Sequence, residues 1–196
     1  MKRNRTFQVI TTAMLSAIAY LLMMFDFPLP GFPVFLKIDF SEIPVLLGAI
    51  VFGPVAAIVI EALKNFLYYA IQGSLTGFPI GELANFIAGL LLVLPAAFIA
   101  RKVGSRKNLI FSLVVGILLM AVVMSVLNYF VILPVYMWFL HFPHMSAAAM
   151  FKLVAYGILP FNLIKGAALA VIFLLIYPRL KPIFRRFSAG NRNLAG

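Results

Sequence analysis

The chain has 196 residues, of which 64% are hydrophobic and 11% charged, so it is too apolar for a soluble domain and is predicted to be an integral membrane protein. Its net charge of +11 is divided among short clusters beside hydrophobic segments, which favours membrane anchoring and contact with anionic lipid over nucleic-acid binding. It contains no cysteine, which excludes disulfides, thiolate metal sites and cysteine nucleophiles.

The first hydrophobic segment, residues 7–25, follows a basic start and resembles a signal peptide, including the small residues around Ala17 and Ala19. However, the apolar run continues to Phe25 and is therefore long enough to cross a membrane. We interpret it as a retained helix. Further spans are predicted at residues 83–100, 109–135 and 159–177.

Residues 43–72 allow two interpretations. In the first, the charge-free residues 43–60 are one span interrupted at Gly53-Pro54, and residues 61–72 are a surface helix. In the second, Gly53-Pro54 is a tight turn between a short helix and a full helix at residues 54–71, because proline suits the start of a helix. The number of spans is five in the first case and six in the second.

Basic residues beside the spans decide between five and six. With six spans, the basic clusters at the start, centre and end of the chain all lie on one side, whereas five spans separate them. Lys and Arg near span ends stay in the cytoplasm. We therefore predict one domain (residues 1–196), an all-α bundle of six transmembrane helices with both termini cytoplasmic. The external loops are then expected at residues 26–41, 73–82 and about 134–157.

Several polar residues lie inside the predicted spans, mostly in the outer half of the membrane. Glu61, Lys64 and Asn65 share one helix face because they are three and four residues apart. Charged groups at such depth are costly unless paired or hydrated, so we expect a shared polar cavity. The alternative is that Glu61 and Lys64 only neutralise each other while the asparagines join helices. The residues assigned to the cavity are Glu61, Asn65, Asn85, Asn128, Tyr129, Asn162 and Lys165.

The residue types of this cavity indicate its chemistry. An asparagine amide offers a donor and an acceptor side by side, which matches the edge of a flat heterocycle that contains an amide or imide. A lysine can donate to a carbonyl of the same ring. His141 and His144 have no carboxylate close in sequence, so we predict no metal site. No P-loop motif occurs, so the chain cannot hydrolyse ATP by a P-loop, and neither GxSxG nor HExxH occurs.

Three runs of residues resemble signatures of the riboflavin-type substrate-binding (S) components of energy-coupling factor (ECF) vitamin transporters. They are residues 36–44 (LKIDFSEIP), 61–65 (EALKN) and 160–166 (PFNLIKG). The resemblance extends from Ala13 to about Pro182. It implies six helices in a prokaryotic cell membrane, and a vitamin pocket that opens to the outside and is closed by the first external loop. It also implies that this chain is not an enzyme and has no cofactor, with riboflavin as the transported ligand.

The resemblance also implies roles for individual residues. The residues expected to contact the isoalloxazine ring are Asn128, Asn162 and Lys165. The loop side of the pocket would be lined by Lys37, Asp39 and Phe40. Ala13 and Ala17 form a small-xxx-small pair that would face a transmembrane T component, which carries two ATPases.

Other functions are consistent with parts of the pattern. The pocket could accept another vitamin, such as thiamine, biotin or a folate; cationic thiamine would need a carboxylate, and Glu61 is the intramembrane candidate. A small membrane enzyme could use Glu61 and the two histidines as acid and base, which would require the loop to fold back. An assembly protein whose polar residues only join helices would bind no small molecule.

Overall fold

The computed structural model describes residues 5–74, 76–100, 105–141, 143 and 145–190, of which residues 181 and 183–190 are described by their backbone alone. Within these residues it contains six helices, five of them long and apolar enough to cross a membrane. They are α1 (Arg5–Met23), α2 (Glu42–Val51), α3 (Pro54–Gln72), α4 (Ile80–Ala100), α5 (Arg106–Phe139) and α6 (Ala147–Leu180, continuing to Gly190). The prediction of an all-α, six-helix membrane protein is confirmed.

The turn between α2 and α3 follows the second interpretation of residues 43–72. Gly53 has a φ of 104°, a conformation that glycine adopts without strain, and Pro54 begins α3. Helix α2 has only 10 residues, so its length is about 15 Å. It packs against α1, α3, α4 and α6 rather than standing alone in lipid. A short helix at membrane depth is stable when protein surrounds it.

The prediction of a long external loop at about residues 134–157 is wrong. Helix α5 extends to Phe139 and α6 begins at Ala147, where the Ser146 side chain caps it by accepting from the Ala149 N–H. The connection between them spans only residues 140–146. Pro134 and Pro160 lie inside α5 and α6.

Both prolines follow a π-helical segment, and this explains how the helices continue. In α5 the segment Asn128–Ile132 precedes Pro134, and the Leu133 N–H bonds to the carbonyl of residue 128, five residues back. In α6 the segment Val154–Ile158 precedes Pro160 in the same way. A proline in a regular α-helix clashes with a carbonyl and removes a hydrogen bond. A wider turn before each proline accommodates the ring, and such turns are frequent at functional sites.

The two ends of the bundle differ in structure. The loop end contains residues 24–41, which we call the first loop, together with the described residues of the connections between α3 and α4 and between α5 and α6. The first loop contains a two-stranded hairpin, β1 (Phe27–Pro28) and β2 (Lys37–Ile38), in antiparallel register. The opposite end, which we call the terminal end, contains the start of α1 and the α2–α3 turn, where the rings of Phe7 and Phe52 lie 6.1 Å apart.

Close packing of α4 on α5 depends on Gly116. A Cβ atom at this position would lie 2.2 Å from the backbone carbonyl oxygen of Leu92. Backbone atoms cannot move aside as a flexible side chain can, and small residues at helix contacts are a common way to bring membrane helices together. Around this contact the core is aliphatic and aromatic. Its most buried members include Leu46, Leu92, Leu113, Met120, Leu169 and Phe173.

Gly116→Ala is expected to destabilise the bundle by about 1–3 kcal/mol, because the added methyl group forces α4 and α5 apart. Thermal unfolding of the purified protein in detergent measures this effect. Gly157→Ala in α6 is the matched control, since a Cβ there meets only ordinary contacts of 3.5 Å or more. Equal unfolding temperatures for the two variants would contradict the prediction.

Candidate functional site

The hairpin of the first loop is fastened to α3 by an ion pair and a tyrosine. Lys37 Nζ lies 3.0 Å from both carboxylate oxygens of Asp26. The Tyr68 hydroxyl of α3 donates to Asp26 Oδ2 at 3.2 Å. The Lys37 side chain is 45% exposed, so the pair itself contributes little to stability. Its geometry nevertheless fixes where the hairpin lies over α3.

A second, buried connection joins the first loop to α6. Lys165 Nζ lies 3.1 Å from Asp39 Oδ2 and 3.5 Å from the carbonyl oxygen of Lys37. Burial alone would raise the pKa of Asp39, but Lys165, Lys64 and the hydrogen bonds from Ser41 outweigh burial and lower the pKa to about 2. The contribution of ionised Asp39 to stability is therefore complete above its ordinary pKa of 3.8 and is lost as the pH falls towards 2.

Ser41 continues this connection towards α3. Its backbone N–H donates to Asp39 Oδ1 at 2.9 Å, and its hydroxyl donates to the same oxygen. Lys64 Nζ of α3 donates to Ser41 Oγ at 2.8 Å and to Glu42 Oε1 at 2.6 Å. Lys64 is completely buried, so its charge depends on these partners. The end of the first loop and the start of α2 are thus bound to the middle of α3.

The polar contacts extend from Lys64 to α4. Glu61 Oε1 lies 2.9 Å from Lys64 Nζ, and Asn65 Nδ2 donates to the backbone carbonyl and to Oε2 of Glu61. Asn85 Nδ2 of α4 donates to Asn65 Oδ1 at 3.3 Å. Together these residues form what we call the buried network. Its members are Asp39, Ser41, Glu42, Glu61, Lys64, Asn65, Asn85 and Lys165.

Two further asparagines lie at the π-helical segments of α5 and α6. Asn128 Nδ2 donates to the Met124 carbonyl at 2.7 Å, and Asn162 Nδ2 donates to the Ile158 carbonyl at 3.0 Å. Both side chains are buried, and each contact fixes the orientation of the amide. Neither amide oxygen accepts a hydrogen bond from the described part of the chain. Each oxygen is therefore an oriented, unused acceptor.

The surroundings of these asparagines are apolar and aromatic. The two π-helical segments contact each other, and Leu36 of the first loop and Tyr129 pack against Leu133, Val154 and Ile158. The Tyr129 ring also contacts Phe130, with ring centroids 4.8 Å apart. Lys165 follows Asn162 by three residues on the same helix face. Two amide oxygens and one ammonium group are thus placed among side chains suited to a flat ring.

The structure divides the predicted site residues into groups. Asp39 and Lys165 contact each other, and Phe40 lies against the hairpin, with its ring 6.2 Å from that of Phe27. Glu61, Asn65 and Asn85 bind one another inside the bundle. His141 lies in the exposed loop between α5 and α6, and His144 lies outside the described residues.

Sequence reasoning missed the roles of Ser41, Glu42, Asp26 and Tyr68. Glu42 follows the predicted first external loop directly and was given no role there, but it begins α2 and is buried. A signal did exist: an intramembrane lysine three residues after a glutamate needs other polar partners. Which residues supply those partners depends on how α2 packs on α3, and local spacing does not contain that information.

Comparisons with known proteins identify the family of this chain. Residues 7–177 match the family model described as the substrate-specific component of ECF transporters. The riboflavin transporter FmnP of Bacillus subtilis (strain 168) is 50% identical over 89% of this chain and 92% of its own length. The riboflavin transporter RibU of Staphylococcus aureus (strain TCH60) is 40% identical over 95% of both chains.

A solved structure has a similar fold. The S component of a bacterial ECF transporter superposes with a TM-score of 0.78 and is 39% identical, covering 92% of this chain and 98% of that one. The match in fold therefore extends over nearly the whole of both chains rather than a fragment. From its sequence, its helical fold and its relatives, this chain belongs to the substrate-specific (S) components of ECF transporters.

Proposed function

We propose that this chain binds riboflavin at the loop end of the bundle and is the riboflavin-specific S component of an importer. The observation that carries the proposal is the pair of oriented amide oxygens of Asn128 and Asn162, beside the ammonium of Lys165. The edge of an isoalloxazine ring presents an imide N–H between two carbonyls. Amide oxygens can accept from that N–H, and a lysine can donate to a carbonyl. Relatives named as riboflavin transporters support the same choice.

The first loop would act as the cover of this site. Lys165 contacts Asp39 of the loop and follows Asn162 on α6. Its ammonium group could therefore contact the ligand and the first loop at the same time. Lys37 and Phe40 belong to the same loop and would border the pocket beneath it. Glu61, Asn65 and Asn85 would support the pocket wall, because their polar atoms bind one another and Lys64.

The loop end would face the outside of a prokaryotic cell, with both termini in the cytoplasm. Arg5, Arg106, Lys107 and Arg179 lie at helix ends of the terminal end, whereas four of the five acidic residues lie in or beside the connections of the loop end: Asp26, Asp39, Glu42 and Glu82. Basic residues beside membrane helices remain on the cytoplasmic side. Riboflavin would then enter from outside and be released after the S component engages its transport partners.

The proposed partners are a T component and two ATPases, and α1 offers the docking face. Ala13 and Ala17 are exposed there, between larger exposed residues such as Met14 and Ile18. Exposed apolar residues are normal on a surface that meets lipid, so apolarity alone indicates no partner. The small pair matters because it lets a second helix approach closely.

Ala13→Trp and Ala17→Trp are expected to abolish riboflavin uptake by cells while leaving the affinity of the purified protein unchanged. The bulky ring would keep a partner helix away from α1 without touching the binding site. Uptake of labelled riboflavin and a binding titration measure the two properties. Ala62→Trp, at another exposed alanine on α3, is the matched control and should transport normally. Normal uptake by both α1 variants would remove this face from the docking surface.

The binding assignment is tested by titrating purified protein with riboflavin and following the quenching of flavin fluorescence. We expect saturation at one riboflavin per chain below micromolar concentration, and no displacement by excess thiamine, biotin or folate. A folded sample that does not quench riboflavin at micromolar concentration would overturn the assignment. Displacement by another vitamin would indicate that the chain is specific for that vitamin, within the same family.

A further inference from the structure

Two carboxyl groups converge on the ammonium group of Lys64. Glu42 Oε1 lies 2.6 Å and Glu61 Oε1 lies 2.9 Å from Nζ. The side chains of Lys64 and Glu61 are 0% exposed and that of Glu42 is 2% exposed. Gly89 of α4 packs directly on Glu61, because a Cβ at residue 89 would lie 2.3 Å from its carboxyl oxygen. The group is therefore sealed from solvent on the side of α4.

The charges around this group do not balance. Among the described residues, the further charged groups joined to it through Ser41 are Asp39 of the first loop and Lys165 of α6, which pair with each other. From α4, the uncharged Asn85 and Gly89 contact this part of the network. With all groups ionised, three carboxylates would face two ammonium groups. One unbalanced charge buried in this way strongly destabilises a fold.

The hydrogen bonds of the two carboxyl groups show that a donor is also missing. Glu42 Oε2 has no hydrogen-bond partner in the described part of the chain, and neither has Glu61 Oε1, whose contact with Lys64 is close but poorly angled. Both Oε1 atoms contact the same ammonium nitrogen, so the two carboxyl groups are close neighbours. If both were ionised, neither would have a hydrogen to donate. One added proton supplies the missing donor and also removes the excess charge.

We infer that Glu42 and Glu61 form an acid–carboxylate pair that holds one proton inside the buried network. The proton belongs to the pair, since two strongly interacting carboxyl groups titrate together. Its effect is to make the whole network neutral, so that Lys64 can hold Ser41 and the first loop in place without an uncompensated charge beneath it. This inference rests on the buried network alone and is independent of which vitamin is bound.

Infrared spectroscopy of the purified protein tests the pair directly. The wild type is expected to show the C=O stretching band of a buried protonated carboxyl group, and both Glu42→Gln and Glu61→Gln should lose it. In each variant the remaining carboxylate stays ionised opposite Lys64, and the new amide supplies the hydrogen-bond donor. Glu82→Gln is the control, because Glu82 is also buried but lies at the start of α4, apart from this pair.

The control variant should keep the band that both test variants lose. A wild type without such a band, or a band that survives in both Glu42→Gln and Glu61→Gln, would overturn the inference. A bound sodium ion could also balance the charge. A wild-type unfolding temperature that falls when sodium chloride is replaced by choline chloride would therefore also overturn it.

Stability provides a second readout that does not depend on spectroscopy. Each single glutamine variant should unfold near the wild-type temperature, since it imitates the protonated acid. The double variant Glu42→Gln/Glu61→Gln should unfold far below either, because Lys64 then has no carboxylate in contact. A double variant whose loss equals the sum of two small losses would contradict the shared proton.

Discussion

Lys64→Met is expected to destabilise the folded protein by about 3–5 kcal/mol, the usual cost of removing one member of a buried charged group. The substitution leaves Glu42 and Glu61 without their cation and Ser41 without the donor that holds it to α3. Protonation of both carboxyl groups would recover only part of this loss, since Ser41 would still lack its donor. Chemical or thermal unfolding in detergent, with the yield of monodisperse protein, measures the effect.

Lys152→Met is the matched control for this prediction. Lys152 is an exposed lysine of α6 and contacts no carboxylate in the described part of the chain. Its replacement should change stability by less than about 0.5 kcal/mol, as is usual for surface sites. If Lys64→Met and Lys152→Met unfolded at the same temperature, the buried network would not be holding the first loop.

The fold was predictable where one strong local signal decided it. The turn at Gly53-Pro54 combines a residue suited to positive φ with one suited to begin a helix, and the structure has both in those roles. The end of α5 was not predictable in this way. Pro134 normally marks a helix end, and only the π-helical segment before it allows the helix to continue. Such a turn has no reliable local signature.

The candidate site was predictable in composition and only partly in arrangement. Helical spacing placed Glu61, Lys64 and Asn65 on one face, and all three are buried there. Their partners come from residues about twenty positions away, such as Glu42 and Asn85, which only tertiary packing brings together. The alternative that Glu61 and Lys64 neutralise each other describes this part of the structure well. Pairing there does not contradict a pocket at Asn128 and Asn162.

Asn128 and Lys165 should therefore differ in what their removal costs. Asn128 uses its amide nitrogen within α5 and keeps its oxygen unused, so its removal should affect bound ligand and little else. Lys165 also neutralises buried Asp39, so its removal should affect both the ligand and the first loop. Removal of Asn128 should therefore lower the affinity for riboflavin alone, whereas removal of Lys165 should lower both the affinity and the stability of the free protein.

Asn128→Ala is expected to weaken riboflavin binding by about 1–3 kcal/mol, or about 5- to 150-fold in Kd, with nearly unchanged unfolding of the free protein. Lys165→Ala should weaken binding by a similar factor and also lower the unfolding temperature, because Asp39 loses its buried cation. Fluorescence titration and thermal unfolding separate the two patterns. Asn108→Ala, at the other end of α5, should change neither property. Unchanged affinity in both variants would place riboflavin elsewhere, since these residues could not then be contacting its ring.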